Sequence, residues 1–178
     1  MHMADALISP VVGIAGWAGA AAVAAYAAAK LKKTATLEKT VPMMAVLGAF
    51  VFAAQMINFS IPGTGSSGHL GGGLLLSILL GPHAAFLALT SVLTVQALFF
   101  ADGGLLALGC NILNMAAVSC YLVYPLIFKP LAGQNSSGSR RWLAMVLAAV
   151  INGALGAFGV VLETTVSGIS ELPFGHFV

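Results

Sequence analysis

The first two residues, Met1 and His2, could hold a metal ion through three nitrogen atoms. The Met1 amino group and the His2 backbone nitrogen would close a five-membered chelate ring. The same backbone nitrogen and Nδ1 of the His2 ring would close a six-membered ring. Such linked rings favour a planar site and a metal that can displace the amide proton, which points to Ni(II), Cu(II) or Co(II). The ordinary alternative for a His at position 2 is a frayed terminus.

His69 is the candidate for a fourth nitrogen ligand, in a loop rich in Gly and Ser. A fourth nitrogen would complete a square plane, which suits Ni(II) and Cu(II), whereas structural zinc prefers a tetrahedron. The amine, the amide and both imidazoles must lose their protons to bind, so we expect binding to weaken as the pH falls. The bulk of His2 should also protect Met1 from removal.

The composition indicates an integral membrane protein. Hydrophobic residues make up 60% of the 178 residues, charged residues only 7%, and the mean hydropathy is +1.02, whereas soluble domains carry about 25% charged residues. The net charge of +2 is too small to predict nucleic-acid binding. The segment before the first apolar run has no Lys or Arg, so we do not expect a cleavable signal peptide.

The apolar runs predict an all-α fold with about six transmembrane helices in a single domain over residues 1–178. The spans are expected at about residues 8–29, 41–60, 74–81, 84–100, 105–128 and 142–165. The third is too short to cross a core of about 30 Å at about 1.5 Å per residue. We therefore expect the Gly-rich loop before it to dip into the membrane from the outer side.

The basic residues predict the orientation of the chain. All seven lie in or beside two polar links: Lys30, Lys32, Lys33, Lys39, Lys129, Arg140 and Arg141. The positive-inside rule places both links in the cytoplasm. Counting spans from there puts Met1, His2 and His69 together on the outer face.

Three polar residues are candidates to contact the ligands rather than the metal. Asp5 could accept a hydrogen bond from the His2 ring, although a solvated terminal Asp is equally expected. Gln55 and Asn58 lie near the outer end of the second span, just before the loop. Other polar residues of the spans are better explained as hydrogen-bond partners between helices: Gln96, Asn111, Asn114, Asn152 and Glu163. His83 and His176 are predicted not to be ligands.

Several stretches resemble the substrate-capture membrane subunits of energy-coupling-factor (ECF) ABC transporters for cobalt and nickel, the CbiM/NikM family. They are Met1-His2-Met3-Ala4-Asp5-Ala6-Leu7-Ile8-Ser9-Pro10, Gln55-Met56-Ile57-Asn58-Phe59, Gly65-Ser66-Ser67-Gly68-His69-Leu70-Gly71-Gly72-Gly73, Phe99-Phe100-Ala101-Asp102-Gly103-Gly104 and Val166-Ser167-Gly168-Ile169-Ser170-Glu171-Leu172-Pro173-Phe174. The resemblance implies a metal held by the Met1 amine, the His2 backbone and ring nitrogens, and the His69 ring. The family typically has seven spans, whereas this chain stops at Val178 after the sixth.

The resemblance also implies a function and partners. The subunit would capture Co(II) or Ni(II) on the outer face of the prokaryotic inner membrane and deliver it inward, as cargo rather than as a cofactor. Its partners would be a transmembrane coupling (T) subunit, two ATPase (A) subunits and, in some systems, a small accessory membrane subunit. The chain has no G-x-x-x-x-G-K-[ST] phosphate loop, so we expect it to be no enzyme of its own. The choice between cobalt and nickel stays open.

Two other function classes remain as alternatives. The stretch Gly65-Ser66-Ser67-Gly68 matches the G-x-S-G nucleophile motif of intramembrane serine proteases, but that chemistry needs a His base within hydrogen-bond reach of the Ser. His69, two residues after Ser67, is poorly placed for that role. A channel or secondary transporter would instead need a polar pathway lined by residues such as Asn111, Asn114 and Asn152. Uptake without any ATPase partner would favour that class.

Overall fold

The computed structural model describes residues 2–62, 66–133 and 137–169. The predicted ligand Met1 and the predicted non-ligand His176 lie outside the described residues, as do residues 63–65, 134–136 and the rest of 170–178. The following account concerns the described residues.

The described chain is a bundle of helices, which confirms the predicted all-α membrane fold. The helices are α1 (Pro10–Leu31), α2 (Leu37–Gln55), α3 (Gly73–Leu80), α4 (Pro82–Phe99), α5 (Leu108–Ala132) and α6 (Gly138–Ser167). Within the described ranges, five of them are long and apolar enough to cross a membrane, and α3 is the exception. A short 3-10 turn, Asp5–Leu7, precedes α1. The protein is therefore a multi-pass membrane protein.

The second predicted span differs most from the helix observed there. We expected it at about 41–60, whereas α2 begins at Leu37 and ends at Gln55. Its first turn contains the charged Glu38. A prediction from hydropathy leaves such a residue out of the span, although a helix can extend beyond the apolar layer of the membrane. The residues after Gln55 form no helix and instead lead into a hairpin.

That hairpin is what the Gly-rich loop forms. Strand β1 (Phe59–Ile61) pairs antiparallel with β2 (Ser66–Gly68), with Phe59 opposite Gly68. A Cβ at position 68 would lie 2.6 Å from the Phe59 ring, so this ring packs directly over Gly68. The hairpin reverses the chain and delivers His69 directly after β2.

Helix α3 has only eight residues, about 12 Å at 1.5 Å per residue, so it cannot cross a membrane core. It lies between Gly72 (φ 75°) and Gly81 (φ 78°), both in the left-handed region that favours Gly. A Cβ at Gly73 would approach the Met115 carbonyl oxygen to 2.9 Å, so α3 begins in close contact with α5.

Helix α4 lies at the centre of the bundle and packs against α1, α2, α3 and α5. Its inward side chains form much of the main core, including Phe86, Leu89 and Leu93, none of which has exposed surface. The end of α4 and the start of α5 lie beside the N-terminal segment. The core thereby holds in place the segments around the two candidate histidines.

Helices α1 and α5 cross at very short distance through glycine. A Cβ at Gly109 would overlap the backbone nitrogen of Trp17, and one at Gly16 would lie 2.5 Å from Cys110 Sγ. Small residues at such a crossing let two helix backbones approach closely. The Gly and Ala spacing of α1 thus serves packing inside the subunit at Gly16 and at Ala20, which is also buried.

Replacing Gly109 by Ala is expected to destabilise the protein by about 1–3 kcal/mol, because the added methyl group meets backbone atoms that cannot rotate away. Thermal unfolding of the detergent-solubilised protein, followed by circular dichroism, measures the effect. Gly153→Ala in α6 is the matched control, since its Cβ would meet no atom within 4 Å. Equal unfolding temperatures for Gly109→Ala and Gly153→Ala would contradict the described crossing.

Candidate metal site

The N-terminal segment is buried in the bundle rather than frayed. Met3 has no exposed surface and Ile8 only 2%, and both pack in a small apolar cluster with Ala107, Cys110 and Val160. Burying a side chain of this size contributes about 1.5–3 kcal/mol. This anchoring holds the residue before Met3 at the end of the bundle where α5 begins.

The backbone of Met3 is held by three hydrogen bonds. Its N–H donates to Asn111 Oδ1 at 2.9 Å, and its carbonyl oxygen accepts from Asn111 Nδ2 at 3.2 Å. Gly104 N–H donates to the same carbonyl at 2.9 Å. Sequence reasoning had assigned Asn111 to contacts between helices, and its actual partner is the N-terminal backbone.

The rings of His2 and His69 are stacked, with centroids 4.6 Å apart and planes inclined by 25°. His2 is 4% exposed and His69 is half-buried. Sequence reasoning predicted that these two residues share a face, and the structure brings their rings into contact. Nδ1 of His69 lies 2.8 Å from the Leu70 carbonyl oxygen. In the tautomer with the proton on Nδ1, this nitrogen donates to the Leu70 carbonyl. The lone pair that could bind a metal is then on Nε2.

Burial favours the neutral form of both rings. It lowers the pKa of His2 to about 4; the Asp102 carboxylate opposes this shift and the His69 ring adds to it. Burial also lowers the pKa of His69 from its ordinary value. A neutral imidazole is the form that binds a metal ion, so burial prepares both rings for that role.

The carboxylate beside His2 belongs to Asp102, which sequence reasoning had placed only in a turn. Its Oδ1 lies 3.1 Å from His2 Nδ1, and its Oδ2 accepts a hydrogen bond from Asn58 Nδ2 at 3.4 Å. Gly103 follows at φ 97°, and a Cβ there would lie 3.3 Å from His2 Cβ. The signal available in the sequence was an acidic residue in a Gly-rich turn on the predicted outer face.

Asp5 and Gln55, which were also predicted to contact the metal ligands, contact other parts of the chain. Asp5, which we expected to face the His2 ring, accepts a hydrogen bond from the backbone N–H of Ala107 at 2.9 Å through Oδ1. It therefore ties the N-terminal segment to the chain just before α5. Gln55, fully buried, donates from Nε2 to the Gly71 carbonyl at 3.0 Å and accepts from Gln96 Nε2 at 3.0 Å. This pair supports the segment that carries His69.

The remaining polar residues of the spans are paired inside the bundle. Asn114 Nδ2 donates to Glu163 Oε2 at 2.7 Å, and Ser119 Oγ donates to Asn152 Oδ1 at 2.8 Å. His83 lies at the opposite end of α4, with Nδ1 3.0 Å from Tyr121 Oη. These contacts agree with the interpretation of the residues as structural partners between helices.

In the described residues, no group of three or more His, Cys, Asp and Glu side chains forms a metal site. The predicted ligand set differs from such a group because it includes the amino and peptide nitrogens. A groove of about 570 Å³ is lined by the His69 segment together with α3, α5 and α6. Its lining is mainly apolar, with Asn114 and Asn152 among its polar residues.

Comparison with known proteins decides the family. Residues 2–178 match the family model of the cobalt uptake substrate-specific transmembrane region, CbiM. The chain belongs to this family. Members of the CbiM family are substrate-specific membrane components of cobalt and nickel uptake, so the resemblance seen in the sequence is confirmed.

Relatives of this CbiM-family chain are named as metal transport proteins. A putative metal transport protein of Haloquadratum walsbyi is 38% identical over 174 residues, which cover 94% of this chain and 78% of that protein. A putative fused nickel transport protein, NikMN, of Archaeoglobus fulgidus is 43% identical over 119 residues. That match covers 65% of this chain and 40% of the fused protein.

The fold also matches a solved structure. A crystal structure of a transition metal transporter superposes with a TM-score of 0.84 at 32% sequence identity. The match covers 98% of this CbiM-family chain and 77% of the solved one. The bundle described above is thus the architecture of a transition metal transporter.

Proposed function

We propose that this chain captures Co(II) or Ni(II) at the outer face of the cell membrane and holds it in a square plane of four nitrogen atoms. The ligands are the Met1 amino nitrogen, the backbone nitrogen and Nδ1 of His2, and Nε2 of His69. The observation that carries this proposal is the contact between the His2 and His69 rings, 4.6 Å apart at the buried N-terminus. Square-planar nitrogen sites suit Ni(II) in particular.

In the structure, the Nδ1 atom that the six-membered chelate ring would use lies 3.1 Å from Asp102 Oδ1. A metal ion bound at Nδ1 would replace this contact. Because the His2 and His69 rings are stacked, they would also have to rearrange so that each presents a ring nitrogen to the same ion.

The Asp102 carboxylate contributes charge as well as position. Its oxygens lie beside the predicted site, and a negative charge in a half-buried place attracts a divalent cation more strongly than one in water. Asn58 holds the carboxylate in place through Oδ2. Asp102 thereby favours entry of the cation without being one of its four ligands.

Asp102→Asn is expected to weaken Ni(II) binding about tenfold to hundredfold, as is typical when a residue that orients a ligand is changed. Isothermal titration of the purified protein with NiCl2 measures the affinity. Asp5→Asn is the control, because it removes one charge from the same end of the bundle while keeping an oxygen that can accept from Ala107 N–H. Equal affinities of Asp102→Asn and the wild type would exclude a role for this carboxylate.

Transport itself is proposed to need partners. From the resemblance to ECF transporters we infer a transmembrane coupling subunit and two ATPase subunits, with a small accessory membrane subunit in some systems; the sequence given contains no phosphate loop of its own. Hydrolysis of ATP in the partners would reorient this subunit and release the ion inside the cell. The basic links at Lys30–Lys39 and Lys129–Arg141 support an orientation with the N-terminus outside.

The proposed function is tested by titrating the purified full chain, with its native N-terminus and a C-terminal tag, with NiCl2 and with CoCl2. One high-affinity ion per chain is expected for at least one of the two metals. A chain that binds neither metal, while its circular dichroism shows an intact helical fold, would overturn the proposal. The ratio of the two affinities then decides which metal is the cargo.

A further inference from the structure

Asn111 holds the N-terminal segment as a neighbouring strand of a sheet would. Its side-chain amide accepts from the N–H of Met3 and donates to the C=O of the same residue, at 2.9 and 3.2 Å. In an extended chain both groups of one residue point to the same side, where a second strand would pair with them. Asn111 is 1% exposed and lies in the first turn of α5, so this pairing is shielded from water.

Among side chains of this length, only Asn can make both contacts. An ionised Asp offers acceptors alone and would place a carboxylate against the Met3 carbonyl, while Leu offers neither group. Gln carries the same amide on a stem longer by one methylene. Loss of the pairing would leave the buried Met3 N–H without its acceptor, whereas the Met3 carbonyl would keep its bond from Gly104.

The pairing of Asn111 with Met3, called the Asn111 clamp below, is connected to His2 through Gly103. A Cβ at Gly103 would lie 3.2 Å from Asn111 Nδ2 and 3.3 Å from His2 Cβ. The turn therefore covers the clamp and the His2 side chain together. It also follows Asp102, which faces the His2 ring. A shift of Met3 in the clamp would consequently move His2 away from both Asp102 and His69.

We propose that Asn111 is a positioning residue that sets the register of the N-terminus, so that the residue directly before Met3 is presented to His69. This inference rests on the proposed function, and it adds a condition to it. A Met1-His2 chelate is not sufficient for tight binding, because its distance from the clamp must also be correct. The Met3 side chain, fully buried, stabilises the same register.

The test inserts one Gly between His2 and Met3. Met1-His2 and its chelate rings stay intact, Asn111 still pairs with Met3, and His2 moves one residue away from His69. We expect Ni(II) affinity to fall about a hundredfold in isothermal titration, and the visible spectrum of the bound Ni(II) to change. The inserted Gly could instead pair with Asn111 in place of Met3. This alternative is disfavoured because the pocket that holds the Met3 side chain would then be empty.

A double-mutant cycle separates positioning from a purely structural role. In an Asn111→Leu background the register is held only by the Met3 side chain, so the same Gly insertion should cost less affinity than it does in the wild type. A purely structural role of Asn111 predicts that the losses of Ni(II) affinity caused by Asn111→Leu and by the Gly insertion multiply. Circular dichroism of each variant checks that the helices are intact, and Asn111→Gln replaces Asn111→Leu in the cycle if the latter does not fold.

The outcomes are distinguishable from failure of the proposed function. If the wild type binds Ni(II) and the Gly insertion binds it equally well, the clamp proposal is overturned and the metal site stands. Multiplying losses in the cycle also overturn the clamp proposal. If the wild type itself binds neither Ni(II) nor Co(II), the proposed function fails first.

Discussion

Inserting the dipeptide Leu-Leu between Met1 and His2 is expected to lower Ni(II) affinity at least about a thousandfold, or about 4 kcal/mol. The insertion separates the amino group from the His2 backbone nitrogen by two residues, so the linked chelate rings can no longer form. Two bulky residues are needed, because a single Ala would allow Met1 to be removed, and any single residue would give the chain a four-nitrogen chelate of its own. His2 itself keeps its place, because Met3 is still held by Asn111. Isothermal titration of the purified protein measures the loss.

The control for this insertion is the same Leu-Leu dipeptide placed between Lys33 and Thr34, in the polar link after α1. It adds the same residues to the chain far from the N-terminus, and Ni(II) affinity should stay within about twofold of the wild type. Undiminished binding after the Met1/His2 insertion would rule out the amino group as a ligand. The same reasoning predicts that a formyl group or an N-terminal tag left on Met1 abolishes capture.

His69→Ala is the second change with a large expected effect. It removes one of four proposed nitrogen ligands and the ring that stacks on His2, so we expect Ni(II) affinity to fall about a hundredfold, or about 2.8 kcal/mol. The remaining chelate would still bind weakly, with water in the fourth position. A partial loss with a changed visible spectrum is therefore the expected result in a titration followed by absorbance.

His83→Ala serves as the control for His69→Ala. It removes another imidazole of the same chain, whose contact is Tyr121 Oη at the opposite end of α4. Metal affinity should stay at the wild-type value in this variant. If His83→Ala and His69→Ala had the same effect, the loss would reflect general damage to the bundle rather than loss of a ligand.

The sequence predicted the helical membrane fold and the meeting of the two histidines. Long apolar runs can only be buried in a membrane, and basic residues confined to two links leave one arrangement of the spans. That arrangement puts His2 and His69 on one face, and their rings are in contact in the structure. The short third span was also predictable, because its apolar run has too few residues to cross.

The side chains that hold the histidines could not be predicted in the same way. Asp102 and Asn111 reach the N-terminus only because α5 begins directly beneath it, which depends on the glycine crossing of α1 and α5. No local pattern relates residue 111 to residue 3. Asp5 is near His2 in sequence, whereas the packed helices bring Asp102 near it in space.

The hairpin was missed for a different reason. Its strands have three residues each, too few for an alternating pattern, and their Gly and Ser residues are poor strand formers. Pairing of Phe59 with Gly68 stabilises them only once the surrounding helices are in place. The role of Gln55, which binds the Gly71 carbonyl, likewise emerges only from the fold.

The central claim is that four nitrogen atoms, two of them from the amino terminus and the first peptide bond, hold the metal in a plane. X-ray absorption at the nickel edge, on the full chain with a native N-terminus loaded with one equivalent of Ni(II), tests it most directly. The account predicts a square-planar spectrum with four nitrogen neighbours, which becomes a different spectrum when Leu-Leu separates Met1 from His2. A six-coordinate, oxygen-rich spectrum, or one with sulfur neighbours, would contradict it.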